Sequence, residues 1–138
     1  MLSRYSMIRG QSLGDLPKKL RDGVRQDSRK HTRHCLRPAK DDVEAFLADP
    51  ENKDNWRHFE KRYAKVVGER FDEDRPPFDK LAELARTSDV FIGCSCPTSK
   101  NRDVRRCHTQ LALRFMSKRY PDLDVRSSGR ADDIHPGA

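Results

Sequence analysis

Apolar residues recur at a helical spacing in the middle of the chain. One stripe follows a period of about 3.6 residues and consists of Trp56, Phe59, Tyr63, Val66 and Val67. It predicts a long helix that is closed by Gly68. A shorter helix is predicted before it, capped by Asp41 or Asp42 and stopped by Pro50. A third helix is predicted to begin at Pro76, because proline is favoured in the first helical turn.

The pattern changes at residues 90–94, where Val-Phe-Ile-Gly-Cys forms a compact apolar run. Such a run is typical of a strand that is buried on both faces. A polar loop and a last helix follow, with a predicted apolar face made of Val104, Cys107, His108, Leu111, Ala112 and Phe115. Residues 5–8 and 123–125 are two further strand candidates. Strand, loop and helix in this order predict an α/β fold, a single domain with a small, mostly parallel sheet flanked by helices.

Composition divides the chain into three predicted parts. Residues 1–38 form a basic, largely irregular segment with one short strand, residues 39–126 form the α/β core, and residues 127–138 form a disordered tail. Apolar residues make up only 34% of the chain, which predicts a thin core.

No apolar stretch approaches the roughly 18 residues of a membrane span or resembles a signal segment. We therefore expect a cytoplasmic protein, with its four cysteines as thiols or metal ligands rather than disulfides.

The positive charge is concentrated in residues 18–40. Nine Lys or Arg residues there face two Asp residues, and the resulting charge of +7 equals that of the whole chain. Such a segment attracts phosphates and other polyanions, which makes Arg29 and Arg33 candidate ligand-binding residues for a nucleotide or nucleic acid. No aromatic residue interrupts the segment, and this argues against recognition by base stacking. The alternative is a solvated loop that only keeps the protein soluble.

The loop after Cys94 is a second candidate for anion binding. In open α/β sheets, ligands gather outside the carboxyl ends of the strands, where helix N-termini offer free N–H groups. Four basic residues lie in this loop, namely Lys100, Arg102, Arg105 and Arg106. The sequence therefore predicts a binding module for a phosphate-bearing ligand. The alternative is a charged turn whose arginines pair with nearby acidic residues.

The cysteines allow a metal site as a further interpretation. Cys94 and Cys96 face the same side if the strand continues between them, and zinc is the expected metal for such ligands. Cys107 and His34 are the candidates to complete the set, with His108, His31 or Cys35 as substitutes. The spacing matches no standard zinc module. Cys107 and His108, as neighbours on a helix, would point about 100° apart and would not easily share one ion.

A cysteine nucleophile is the rival to the binding module. Cys96 is followed six positions later by Arg102, as in the Cys-x5-Arg arrangement of cysteine phosphatases, although the loop lacks the glycines that cradle phosphate. Cys96, Cys107 and His108 are the candidate catalytic residues of such a cysteine- or metal-dependent enzyme, with the imidazole as acid, base or ligand. In the plainest alternative, Cys94 and Cys107 are small buried residues at a strand–helix junction.

The order of these motifs resembles that of the domain-of-unknown-function 488 family over residues 36–126. The resemblance is carried by Trp56-x2-Phe59-x3-Tyr63, Phe78-x2-Leu81, an apolar strand ending in a cysteine, and Cys107-His108 opening a helix. It implies a compact α/β domain that brings the strand-end cysteine to the Cys-His pair, and it implies no activity. Thr109 stands where the family usually has arginine, and the loop at residues 97–106 looks longer than usual. A ligand-binding role of that arginine would be vacant here or taken by Arg105 or Arg106.

Overall fold

The computed structural model describes residues 1–8 and 10–126. Three strands form a sheet, β1 (Leu2–Ser6), β2 (Val24–Asp27) and β3 (Val90–Cys94). The helices are α1 (Lys18–Asp22), α2 (Lys40–Leu47), α3 (Lys53–Glu73), α4 (Pro76–Thr87) and α5 (His108–Arg119). The predicted α/β class, with a small parallel sheet and flanking helices, is confirmed. The tail predicted for residues 127–138 lies outside the described residues.

The sheet has the order β1-β3-β2, and both pairings are parallel. Ser6 lies opposite Cys94, and Asp27 lies opposite Gly93. The carboxyl ends of all three strands therefore meet at one edge of the sheet. An isolated parallel bridge between Leu2 and Val125 extends the sheet beyond β1, in the region where the sequence predicts a last strand.

The two faces of the sheet carry different side chains because successive residues of a strand alternate between faces. Leu2, Val90 and Ile92 belong to the main core, which the apolar faces of α3, α4 and α5 complete. Tyr5 and Phe91 belong to a smaller cluster, which α1 covers with Leu20. By the same alternation, Arg4, Ser6 and Cys94 project towards the main core.

The long helix differs from its prediction at its end. α3 continues past Gly68 to Glu73, because Phe71 extends the apolar stripe by another turn and is buried. It begins after Asn52, whose side chain accepts hydrogen bonds from two main-chain N–H groups of the first turn. Although α3 spans 21 residues, none of the described helices is both long and apolar enough to cross a membrane.

Two shorter elements also begin elsewhere than predicted. The residue that caps α2 is Ala39, while Asp41 and Asp42 lie in the first turn, where a carboxylate interacts favourably with the helix dipole. β1 occupies Leu2–Ser6 rather than residues 5–8, because its register with β3 begins at Leu2. Ile8 is accordingly exposed.

The basic segment is more ordered than its sequence suggests. It contributes α1 and the edge strand β2, whereas the sequence predicts largely irregular structure there. β2 has only four residues, and none of them is fully buried, so its apolar pattern is too weak to reveal a strand. Pairing with β3 is what orders it.

Substitutions of two glycines test the packing of α1 against the sheet and the continuation of α3. A Cβ atom at Gly23, between α1 and β2, would lie 2.7 Å from the Phe91 ring and 2.9 Å from the Asp89 carbonyl oxygen. Gly23→Ala should therefore lower the free energy of unfolding by about 1–3 kcal/mol. Gly68→Ala meets no atom within 4 Å and lies inside α3, so it should raise this free energy by about 0.5–1 kcal/mol. Urea unfolding of both variants measures the difference, and a neutral Gly23→Ala would contradict the packing of α1 against the sheet.

Candidate metal and ligand site

Three cysteines converge where β3 ends. Cys94 is the last residue of β3, Cys96 lies two residues further on, and Cys107 is the residue that precedes α5. Their three sulfur atoms all lie within 4.8 Å of one another, and those of Cys94 and Cys96 are 3.9 Å apart. Cys94 and Cys107 are buried, and Cys96 is half-buried. This cysteine cluster could hold a metal ion.

The side chains of Cys107 and His108 lie close together because only His108 belongs to a helix. Cys107 has an extended backbone, with φ of −124° and ψ of 148°, and α5 begins only at His108. The expected divergence of about 100° applies to two helical neighbours and is wrong for this pair. The Nδ1 atom of His108 lies 3.9 Å from the Cys107 sulfur.

The orientation of the His108 ring is fixed by Ser28, in the loop after β2. The Ser28 hydroxyl donates to the main-chain carbonyl of Gly93 at 3.0 Å, so it accepts the hydrogen bond from His108 Nε2, also at 3.0 Å. Nε2 therefore carries a proton, and Nδ1 is turned towards the thiols. Both side chains are buried, which keeps this arrangement away from competing water.

Two further side chains donate hydrogen bonds to the sulfur atoms. The Thr109 hydroxyl donates to the Cys107 sulfur at 3.2 Å. The Asn101 side-chain amide donates to the Arg106 carbonyl at 2.7 Å and lies 3.5 Å from the Cys96 sulfur. Such contacts stabilise negative charge on sulfur. Sequence reasoning noted Thr109 only as a departure from a family pattern and missed Asn101.

Arg4 is the largest buried polar side chain at the site, with an exposed fraction of 1%. Its Nε donates to Thr109 Oγ1 at 2.7 Å, and its Nη2 donates to the Cys96 carbonyl at 3.0 Å. Its Nη1 is buried and has no hydrogen-bond partner among the described residues. Nor does Arg4 form an ion pair with any described carboxylate. Nothing in the sequence pattern singled out this residue.

Hydrogen bonds within the cysteine cluster favour a negative charge on Cys107. The thiols of Cys94 and Cys96 donate to the Cys107 sulfur and hold the pKa of Cys107 well below its ordinary value. The same contacts raise the pKa of Cys94 and raise that of Cys96 to about 12. Burial lowers the pKa of His108, but the neighbouring Cys107 charge outweighs burial and raises this pKa to about 10.

A cavity of about 450 Å³ opens onto the cysteine cluster. Its apolar wall comes from α2 and α3 and consists of Val43, Phe46, Leu47 and Phe59. Its basic wall comes from the loops after β2 and β3 and consists of Arg29, Lys30, His31, Lys100 and Arg106. No Asp or Glu of the described chain lines the cavity.

The predicted anion-binding residues separate into two groups. Arg29, Lys100 and Arg106 line the cavity, although Arg29 is already paired with Asp27 at 2.8 Å. The remaining three, Arg33, Arg102 and Arg105, are exposed and lie outside its lining.

The positions of Arg102 and Arg105 bear on two of the chemical alternatives. The Arg105 guanidinium is held by both carboxylate oxygens of Asp103, as the charged-turn alternative expects. Arg102 lines a neighbouring hollow that the thiols do not reach. The Cys-x5-Arg spacing of Cys96 and Arg102 therefore does not bring the guanidinium into the cavity with the sulfur.

The predicted metal ligand His34 lies away from the cysteine cluster. Its Nε2 lies 2.7 Å from the Gln26 side-chain oxygen, and its Nδ1 accepts a hydrogen bond from the Leu36 N–H at 3.1 Å. Burial lowers the pKa of His34 to about 4, so the ring is neutral and both nitrogens are engaged. Cys35 is also outside the cluster, which consists of Cys94, Cys96 and Cys107 among the described residues.

Comparisons with protein-family models, with curated proteins and with solved structures find no match to this chain. The resemblance to the domain-of-unknown-function 488 family therefore stays a prediction, and the functional argument depends on the geometry of the cluster and the cavity.

Proposed function

We propose that Cys94, Cys96, Cys107 and His108 bind a zinc ion and that the protein is a zinc-containing binding module for an anionic ligand. One observation carries the proposal. Three largely buried sulfur atoms lie within 4.8 Å of one another, next to an imidazole whose Nδ1 faces them.

Two of the distances between the proposed ligand atoms are close to those of a tetrahedral zinc site. Ordinary zinc–ligand bond lengths separate two sulfurs by about 3.8 Å and a sulfur and a nitrogen by about 3.6 Å. The corresponding distances are 3.9 Å between the Cys94 and Cys96 sulfurs and 3.9 Å between the Cys107 sulfur and His108 Nδ1. The three sulfurs, all within 4.8 Å of one another, would each need to approach by at most about 1 Å to reach zinc-binding separations.

The chemistry of the donors favours zinc over the other common metals. Thiolates are soft ligands and select zinc, copper(I) or iron–sulfur clusters, whereas magnesium and calcium need oxygen ligands. Iron–sulfur clusters are usually held by four cysteines, and three are present in the cysteine cluster. Ser28 supplies the outer hydrogen bond that a zinc-binding histidine ordinarily makes through its second nitrogen.

Charge balance supports the same assignment. Three thiolates and a neutral imidazole around Zn²⁺ form a centre with one net negative charge. A buried arginine needs a nearby anion to offset its desolvation, and Arg4 has no described carboxylate partner. Its hydrogen bond to Thr109, which in turn donates to the Cys107 sulfur, connects the guanidinium to this negative centre.

The cavity favours binding over catalysis. A metal-dependent hydrolase ordinarily pairs its metal with a carboxylate or imidazole as general base, and no described carboxylate lines the cavity. His108 would be occupied as a ligand, and the other imidazole of the lining, His31, is 61% exposed and lies 3.9 Å from the Asp27 carboxylate. A metal-free cysteine nucleophile is also disfavoured, because Cys107, which favours the thiolate, is only 3% exposed. The more accessible Cys96 has its pKa raised to about 12.

Metal analysis tests the proposed centre directly. The purified protein should contain about one zinc per chain. Serine at position 94, 96 or 107 should weaken zinc binding by more than about a hundredfold, because loss of a ligand costs more than loss of its outer partner. Cobalt substitution should give the strong sulfur-to-cobalt absorption of a tetrahedral thiolate site in the wild type and not in these three variants.

Cys35→Ser is the matched control, since Cys35 is a partly buried thiol outside the cluster. This variant should retain both the zinc and the cobalt spectrum. A wild-type protein without zinc that also gives no cobalt–thiolate absorption would overturn the proposal.

Ser28→Ala tests the orientation of His108. Without the hydroxyl, Nε2–H loses its acceptor, and zinc affinity should fall about 10–100-fold. Ser3→Ala is the control, because Ser3 is also a buried serine that donates to a main-chain carbonyl, at 3.0 Å from Arg126 O, but it has no contact with the centre. Competition with a zinc chelator measures both affinities, and equal losses in the two variants would contradict the role of Ser28.

Arg4→Met tests the charge balance. Removing the buried guanidinium takes away the cation that stabilises an anionic centre, so zinc affinity should fall about tenfold or more. Arg4→Lys keeps the charge and should recover part of the loss. The same chelator competition measures both variants, together with the rise in Tm on adding zinc. Unchanged zinc affinity in Arg4→Met would show that Arg4 has only a packing role.

A further inference from the structure

We propose that the cavity beside the cysteine cluster binds a small organic phosphate, a phosphate monoester carrying a flat apolar group. The inference deepens the proposed function, since it names the ligand class for which the zinc-containing module would be built. It depends on the two unlike walls of the cavity and on the charges that remain unpaired along one of them.

The basic wall carries more positive charge than its surroundings neutralise. Lys30, Lys100 and Arg106 form no ion pair with a described carboxylate, although one guanidinium nitrogen of Arg106 donates to the Pro50 main-chain carbonyl at 3.1 Å. The other two basic residues of this wall lie beside Asp27, which holds Arg29 at 2.8 Å and lies 3.9 Å from His31 Nε2. Several cations that lack a carboxylate partner and line one cavity match the double charge of a phosphate monoester better than the single charge of a carboxylate.

The apolar wall determines the second part of the ligand, which should be a flat apolar group. Phe46 and Phe59 pack with their ring centroids 5.4 Å apart, and both are nearly buried. Val43 and Leu47 extend this wall along α2. A flat apolar group would displace water from these side chains, as in most small-ligand pockets, and a volume of about 450 Å³ lies in the usual range for such pockets.

The two walls together set the orientation of the ligand. The phosphate would lie among the basic side chains at the mouth, where Lys100 is exposed and Arg106 is partly exposed. The apolar group would then lie along α2 and α3, next to the thiols. Inorganic phosphate would contact only the basic wall, and an uncharged ring only the apolar wall. A phosphate ester should therefore bind more tightly than either.

Titration of the full-length, zinc-loaded protein with four probes tests the ligand class. Phenyl phosphate and adenosine 5′-monophosphate should each bind one site, at least about tenfold more tightly than inorganic phosphate. Adenosine, which lacks the phosphate, should not bind in the same range. Calorimetry measures each affinity. A preference for the nucleotide over phenyl phosphate would identify the apolar group as a base, and the absence of saturable binding by both esters would overturn the inference.

Adjacent arginines supply the matched variants. Arg106→Ala should weaken binding of phenyl phosphate about tenfold or more, since it removes a charge that faces the cavity. Arg105→Ala should leave binding unchanged, because Arg105 is paired with Asp103 and lies outside the cavity. Lys100→Ala repeats the test at an exposed residue, whose substitution should change the free energy of unfolding by less than about 0.5 kcal/mol. Equal losses at Arg105 and Arg106 would show non-specific attraction and overturn the inference.

Leu47→Ala tests the apolar wall separately. It should weaken binding of phenyl phosphate and leave that of inorganic phosphate unchanged, because only the ester reaches α2. Equal effects on both probes, or no effect on either, would contradict the proposed orientation.

The metal content of each sample separates this inference from the zinc proposal. Zinc-containing protein that binds neither ester overturns the ligand inference alone. Protein that contains no zinc and gives no cobalt–thiolate absorption, but binds phenyl phosphate through Arg106, overturns the zinc proposal alone and supports the cavity.

Discussion

The parallel pairing of β3 with both of its neighbours is the constraint on which the site depends. It brings the carboxyl ends of three strands to one edge, so the loops that leave them meet there. Cys94 ends β3, and Ser28 follows β2 directly. Arg4 lies on the face of β1 that packs against α5. A slip of one residue in either pairing would turn these side chains to the opposite face of the sheet.

The elements with a strong apolar pattern were predictable from sequence. The stripe that includes Phe59 and Tyr63 lies on α3, and the run at residues 90–94 is β3 as predicted. β2 was not predictable, because an edge strand of four half-exposed residues carries no clear periodicity and is ordered by its neighbour. The end of α3 was predicted too early, at Gly68, because the sequence does not distinguish a glycine inside a helix from one that ends it.

The candidate site was predictable only in part. The three clustered cysteines and His108 were all candidate residues, but their mutual geometry depends on the extended backbone of Cys107, which a helical pattern conceals. Arg4 and Ser28 could not be found, because they are about 80 or more residues away from their partners in the chain. Arg105 and Arg106 are equivalent in sequence, and only the fold separates the paired arginine from the one that faces the cavity.

The contact between Ser28 and His108 connects β2, the shortest of the three strands, to the cysteine cluster. Ser28 bonds to Gly93 through both its main-chain N–H and its hydroxyl, so the pairing of β2 with β3 continues to the point where the imidazole is held. Short edge strands open readily in local fluctuations. Each opening of β2 would release Nε2 and loosen the ring, so the lifetime of this strand pairing would set how firmly the cluster could retain the proposed ion. Occupancy of the centre would in turn protect the amides of β2 from hydrogen exchange. The exchange rates of this edge strand would therefore depend on whether the buried centre holds an ion.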